Sequence, residues 1–169
     1  MAAYNNIDLA RLGLRAGEGR RLDVAIDPGV LEYGGQRYGA SAAEGRLDVS
    51  RMGAGHALRL RFATELAGPC MRCLAEARIP AAVDAREVEQ AGGGDQLESP
   101  YVNGEVVRVS EWARDALALA LPAQLLCRAE CAGLCPVCGE SLNDSPEGDH
   151  DHAAAPDPRW SKLRELKLD

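Results

Sequence analysis

Four cysteines fall within the twelve residues 127–138 of "LLCRAECAGLCPVCGESLND": Cys127, Cys131, Cys135 and Cys138. Two more stand far upstream in "CMRC", as Cys70 and Cys73, and two histidines, His150 and His152, follow in "HDH". Thiolates and imidazoles are the usual ligands of tetrahedral zinc, and a structural site takes four of them from the protein. "CPVCG" is the most specific signal, because Pro136 and Gly139 permit a tight turn that aims backbone amides at the sulfurs of Cys135 and Cys138, as in a zinc knuckle. Eight such ligands suffice for two tetrahedral sites, or for one site with spare thiols. The nearest self-contained set is Cys135, Cys138, His150 and His152. Cys127 and Cys131 in place of the histidines would serve as well, and a zinc-ribbon-like set would join Cys70 and Cys73 to Cys135 and Cys138. One or two structural zinc ions are expected, and spacing leaves the partition open.

Other thiol chemistries fit less well. The start "MAAYNNIDLARLGLRAGEGRR" has no apolar stretch after a basic opening, and the longest apolar run, "ALALALPA", is too short to span a bilayer. A cytoplasmic, reducing setting is therefore expected, in which structural disulfides are rare. A thioredoxin-type pair requires its CxxC at a helix start in a βαβ setting, whereas "CMRC" lies between two alternating segments. A catalytic zinc keeps one ligand position open with a base nearby, and the residues around "HDH" read as loop. His56, in "GAGHALR", reads as a turn or surface histidine.

The elements that must position these ligands follow from periodicity. "RLDVAI" (21–26), "RLDVS" (46–50), "ALRLRFATEL" (57–66) and "RIPAAVDAREVE" (78–89) alternate with a period near two and are separated by glycine-rich turns such as "YGGQRYG" and "RMGAGH". This pattern predicts an antiparallel sheet with one wet face. "QAGGGDQLESP" reads as an acidic loop closing the strand-rich part. From "VVRVSEWARDALALALP" the period turns helical, with Ser110 as N-cap, Pro122 as stop, and Trp112, Ala116, Leu119 and Ala120 on one core-facing side. In "APDPRWSKLRELKLD", Asp157 and Pro158 start a short amphipathic helix carrying Trp160, Leu163 and Lys167. The expected class is α+β: a strand-rich antiparallel domain over 1–107, then over 108–169 a helix, the cysteine-rich knuckle segment and the closing helix.

The net charge of −7 is unevenly spread over the 169 residues. Residues 1–80 carry 11 Lys and Arg against 9 Asp and Glu, whereas residues 81–152 carry 4 against 14. Affinity for nucleic acid must then come from the first half or the last helix, since the middle repels phosphate. No phosphate-binding glycine loop, Ser/His/Asp arrangement or helical H-E-x-x-H pair is present.

"CMRCL" followed by a strand, then "SEWARDALALALPAQLLCRAECAGLCPVCGESLN", "HDH" and "DPRWSKL", resembles the bacterial YceD family, the large ribosomal RNA subunit accumulation proteins. The opening "IDLARLGLRAGEGRRLDV" is similar to members from high-GC Gram-positive bacteria. The resemblance implies a non-enzymatic cytoplasmic protein that supports the synthesis, processing or accumulation of 23S ribosomal RNA. Many members carry a Cys-x-Cys pair where this chain has His150 and His152, a swap that zinc accepts. Some keep the first CxxC without much of the late cluster, which favours the local site of Cys135, Cys138, His150 and His152.

Contact with ribosomal RNA or its precursor is expected through Arg51, Arg59 and Arg61 on the strand-rich segment and Arg159, Lys162 and Arg164 on the closing helix. Neither DNA nor membrane is an expected partner. Three alternatives stand beside this reading: contact through a basic ribosomal protein or processing factor docked on the acidic middle, at residues such as Asp84, Glu87 and Glu89; a zinc-stapled protein-interaction module unrelated to RNA; and a metal- or thiol-dependent enzyme.

Overall fold

A computed structural model describes residues 6–94, 97–144, 150 and 152. The chain forms two compact units, Met1–Cys131 and Ala132–Asp169. The described residues of the first hold nine strands and one α-helix: β1 (Asn6–Asp8), β2 (Gly19–Ile26), β3 (Val30–Tyr33), β4 (Gln36–Ala40), β5 (Ala43–Arg51), β6 (His56–Pro69), β7 (Glu76–Glu89), β8 (Val102–Asn103), β9 (Val106–Arg108) and α1 (Val109–Ala120). All pairings are antiparallel. β1, β9 and β8 make a small sheet, and the other six strands make a large one.

The large sheet is organised by β6. Along one edge it pairs with β7 over fourteen positions, from His56↔Glu89 to Pro69↔Glu76. Its other edge is shared, with β5 opposite residues 56–62 and β4 opposite residues 66–67. Alternation along β6 buries Leu58, Leu60, Phe62 and Leu66 on one face and leaves Arg59 and Arg61 on the other. Across the inner face these residues meet Val24, Ile26, Leu47, Val49, Ile79 and Val83, and α1 packs there against β7. The four alternating segments read from the sequence are thus β2, β5, β6 and β7. "YGGQRYG" encodes a hairpin of its own, in which Gly34 and Gly35 form a two-residue loop with φ of 58° and 75°, the left-handed conformation that such loops require.

Three local expectations are corrected. Ser110 does not cap the helix: Arg108 holds that position without a side-chain hydrogen bond, and Ser110 lies in the first turn. The buried stripe of α1 is Val109, Trp112, Ala113, Ala116 and Leu117, whereas Leu119 is 88% exposed and Ala120 is also exposed. The helix starts two residues earlier than a Ser110 cap implies and packs against β7, with Ala113 and Leu117 in the buried stripe. His56 is buried at the start of β6, with its Nε2 3.2 Å from Arg51 Nη1. Burial, followed by the Arg51 charge, lowers its pKa. The closing helix expected at 157–169 lies outside the described residues.

Tyr38, fully buried, donates its hydroxyl to the Pro69 carbonyl at 2.8 Å and so ties β4 to the end of β6. This requires a glycine beside it, because a Cβ on Gly68 would stand 2.4 Å from Tyr38 Cδ1 and 2.9 Å from the Arg37 carbonyl. Gly68→Ala is therefore expected to destabilise the first unit by about 1–3 kcal/mol through overpacking, read as a lowered thermal midpoint.

Candidate metal centres

β6 and β7 are joined by Cys70–Ala75, and the strand ends fix how this turn folds. The Cys70 amide donates to the Ala75 carbonyl at 2.8 Å, the Leu74 amide donates to the Cys70 carbonyl at 3.0 Å, and the Arg72 amide points at Cys70 Sγ at 3.4 Å. Leu74 takes φ of 61°, the only positive value at a non-glycine residue among the described residues. The second unit repeats the construction. There the Cys135 amide donates to the Glu140 carbonyl, the Gly139 amide donates to the Cys135 carbonyl, and the Val137 amide faces Cys135 Sγ at 3.4 Å. Gly139, at φ 77°, stands where Leu74 stands in the first turn. An isolated bridge, Leu134↔Ser141, brackets this turn as Pro69↔Glu76 brackets the other.

Each turn faces a second ligand pair within its own unit. In the first, Cys70 Sγ lies 3.7 Å from Cys131 Sγ and Cys73 Sγ lies 3.6 Å from Cys127 Sγ. In the second, Cys138 Sγ lies 3.2 Å from His150 Nε2, which is 3.1 Å from His152 Nε2. Within each group of four, all ligand atoms lie within 4.8 Å of one another. A tetrahedral ion with metal–sulfur bonds of about 2.3 Å sets its sulfurs ~3.8 Å apart, and imidazole nitrogens at about 2.0–2.1 Å lie ~3.3 Å apart. Both groups have the size to hold a metal ion. The local set of Cys135, Cys138, His150 and His152 is thus assembled, and Cys70 and Cys73 meet Cys127 and Cys131 rather than the late CxxC.

The surroundings prepare these ligands. Burial opposes ionisation of Cys70, but the amides of Cys73, Arg72 and Cys127 donate to its sulfur and bring the thiol down to about 6. Beside it, burial and the neighbouring sulfurs push Cys127 up to about 12. In the second unit the Cys138 amide, against burial, draws Cys135 down to about 6 with help from the Val137 amide and the His150 ring. The Glu140 amide favours the Cys138 thiolate, but burial and the adjacent Cys135 outweigh it and raise that thiol. One anionic sulfur per site makes the next harder to form unless a cation sits between them.

Outer contacts hold the ligand loops. Arg72 donates to the Cys131 carbonyl at 3.0 Å and to Gln124 Oε1 at 3.2 Å, and the Met71 amide donates to the carbonyl of buried Leu125 at 2.9 Å. These bonds pin the segment after α1 across the first turn. Nδ1 of His150 faces Glu140 Oε2 at 3.7 Å, which leaves Nε2 directed at Cys138.

The model of the large ribosomal RNA subunit accumulation protein YceD matches residues 58–167, most of the chain and every one of these ligands. The chain belongs to the YceD family. Uncharacterized proteins of Mycobacterium tuberculosis and Mycobacterium bovis are each 30% identical to it over 98% of this chain and 83% of their own length. An uncharacterized protein of Mycobacterium leprae is 42% identical over 31% of this chain and 23% of its own. No solved structure matches.

The arginines expected to contact RNA do not form one group in this YceD-family chain. Arg51 shares the inner parity of β5 and lies beside His56, whereas Arg59 and Arg61 project from the opposite face. There Arg59 makes a bidentate pair with Asp84, at 2.7 and 2.5 Å, and Arg61 pairs with Asp48. Arg159, Lys162 and Arg164 lie outside the described residues. The acidic trio is dispersed as well: Asp84 is on the outer face, Glu87 has inner parity, and buried Glu89 accepts the Ser99 amide at 2.7 Å. No helix among the described residues is long and apolar enough to cross a membrane.

Three outcomes test the centres and their turns. Metal analysis after reducing, chelator-free purification should find two ions per chain, reduced to one by either Cys73→Ser or Cys138→Ser. Cys138→Ser should leave hydrogen-exchange protection intact over 20–90, and equal loss there and beyond residue 132 would refute separate centres. Leu74→Gly should keep both ions and raise stability by about 1 kcal/mol, because relief of the left-handed strain exceeds the entropic cost of glycine and Leu74 is 57% exposed.

Proposed function

We propose that this protein is a non-enzymatic ribosome-biogenesis factor of the cytoplasm that supports synthesis, processing or accumulation of 23S ribosomal RNA, with both centres holding structural zinc. Family membership carries the reading, since the family is described by large ribosomal RNA subunit accumulation. The donor sets agree with a structural rather than a catalytic role. Each group supplies four protein ligands, S₄ in one and S₂N₂ in the other, so a tetrahedral ion retains no open position for substrate or activated water. Both donor sets suit zinc.

Direct contact with RNA is favoured over an adaptor docked on the acidic middle, because Asp84, Glu87 and Glu89 do not share a surface. A second reading, a zinc-stapled protein-interaction module, draws on the exposed apolar residues of the two turns, Leu74 and Val137, the latter 71% exposed.

Depletion separates these readings. Loss of the protein should lower mature large-subunit RNA relative to small-subunit RNA, with precursor changes, and zinc-site variants should do the same. Unchanged large-subunit RNA after depletion, with the protein recovered on a partner outside ribosome assembly, would establish the interaction-module reading instead.

A further inference from the structure

The outward face of β2, β5, β6 and β7 carries a patterned set of charges that the metal centres do not use. Register places Arg21, Asp48, Arg59 and Arg86 in one cross-strand row. The next row is Asp23, Arg46, Arg61 and Asp84. Two direct neighbours are therefore arginine opposite arginine: Arg46 beside Arg61, and Arg59 beside Arg86. Like charges directly opposite destabilise a sheet, and here they join into an unbroken diagonal, Arg46–Arg61–Arg59–Arg86, across three strands.

The carboxylates beside the diagonal orient it without using up its donors. Asp84 takes two donors of Arg59, and Asp48 takes one from Arg61 and one from Arg21. Arg61 Nε is buried without a partner among the described residues. Arg46 reaches Asp23 only at 4.0 Å, and Arg86 has neither an ion pair nor a hydrogen bond among the described residues. A cavity of about 700 Å³ lies where Arg46 and Arg61 meet, and its lining also includes the carboxylates Asp23, Glu44 and Asp84. A guanidinium pair with spare donors over a concavity suits a polyanion whose charges recur at intervals of several ångströms.

We propose that this face binds the phosphate backbone of RNA through Arg46, Arg61, Arg59 and Arg86. The inference rests on the ribosomal-RNA reading and deepens it by naming the surface. The outward rows contain no aromatic side chain. Recognition therefore works through charge and shape rather than base stacking, and a regular duplex is the natural ligand.

The test uses the full zinc-loaded chain and a 20-base-pair RNA duplex over a range of salt concentrations. Arg46→Gln with Arg86→Gln removes two cations while leaving the Asp48 and Asp84 pairs intact, and unchanged thermal unfolding and zinc content verify the fold. The double variant is expected to bind about tenfold or more weakly, with the log–log salt slope reduced by about 2. The matched control, Arg15→Gln with Arg20→Gln, should retain wild-type affinity and slope.

An equal loss in the control would mean non-specific attraction and overturn the surface, as would an unchanged slope in the face variant. Tighter binding of polyglutamate than of RNA, lost in the same variant, would make the face an acidic-protein site and also overturn the proposal. A wild-type chain that binds no RNA, in cells where depletion still lowers large-subunit RNA, removes this surface but leaves the biogenesis reading standing. Depletion without any effect on that RNA removes the reading itself.

Discussion

Four sulfurs converge at the far end of the β6–β7 hairpin, and three of their cysteines are buried. Such a group cannot carry several negative charges unless a cation lies among them. Amide donors already favour one thiolate at Cys70, while proximity drives Cys127 the other way. A divalent ion held among these sulfurs would resolve that conflict and close a link between residues separated by 54 and 61 positions in the chain. Such a link would fix both the segment after α1 and the end of the long hairpin.

The strand that reaches the cluster also has two unlike faces. One face of β6 supplies Leu58, Leu60, Phe62 and Leu66 to the core, and the other supplies Arg59 and Arg61 to solvent. Tyr38 bridges β4 to Pro69 just before the first cysteine, so packing of the sheet and positioning of the turn are coupled. In the second unit no comparable sheet exists among the described residues. Its turn is bracketed by the Leu134↔Ser141 bridge, the Leu142 amide on the Gly133 carbonyl and the Ala132 amide on Asn143 Oδ1.

Where residues alternate over long stretches, the sequence was sufficient: β2, β5, β6, β7 and the helical change of period were all legible. Short elements were not, because β3 and β4 each offer only four or five residues around two glycines, and β8 and β9 fewer still. The Ser110 cap failed because the helix began at Val109, and Leu119 was misplaced because the stripe depends on how α1 lies against β7. Placing Arg51 with Arg59 and Arg61 failed on parity, since its strand position puts it on the inner side. The late local group of Cys and His was one of several sets that spacing allowed, favoured only through the family resemblance, and the partnership of Cys70 and Cys73 with Cys127 and Cys131 was not among the sets weighed. It is set by the length of the hairpin and the return of the chain after α1, which no local pattern encodes.

The fourteen-position pairing of β6 with β7 also constrains how such a chain can vary over evolutionary time. Inserting one residue within β6 would turn Arg59 and Arg61 inward and Leu60 outward, one within β7 would likewise exchange Val83 and Asp84, and the alternative in either strand is a bulge that breaks the ladder. Length changes there are tolerable only in twos, matched on both strands, and any change would move the cysteine turn away from Cys127 and Cys131. Homologues should therefore differ in length mainly at positions away from the cysteines, such as the turn at 52–55. The interval between the first CxxC and the strand end at Glu89 should stay nearly constant, even where sequence identity is low.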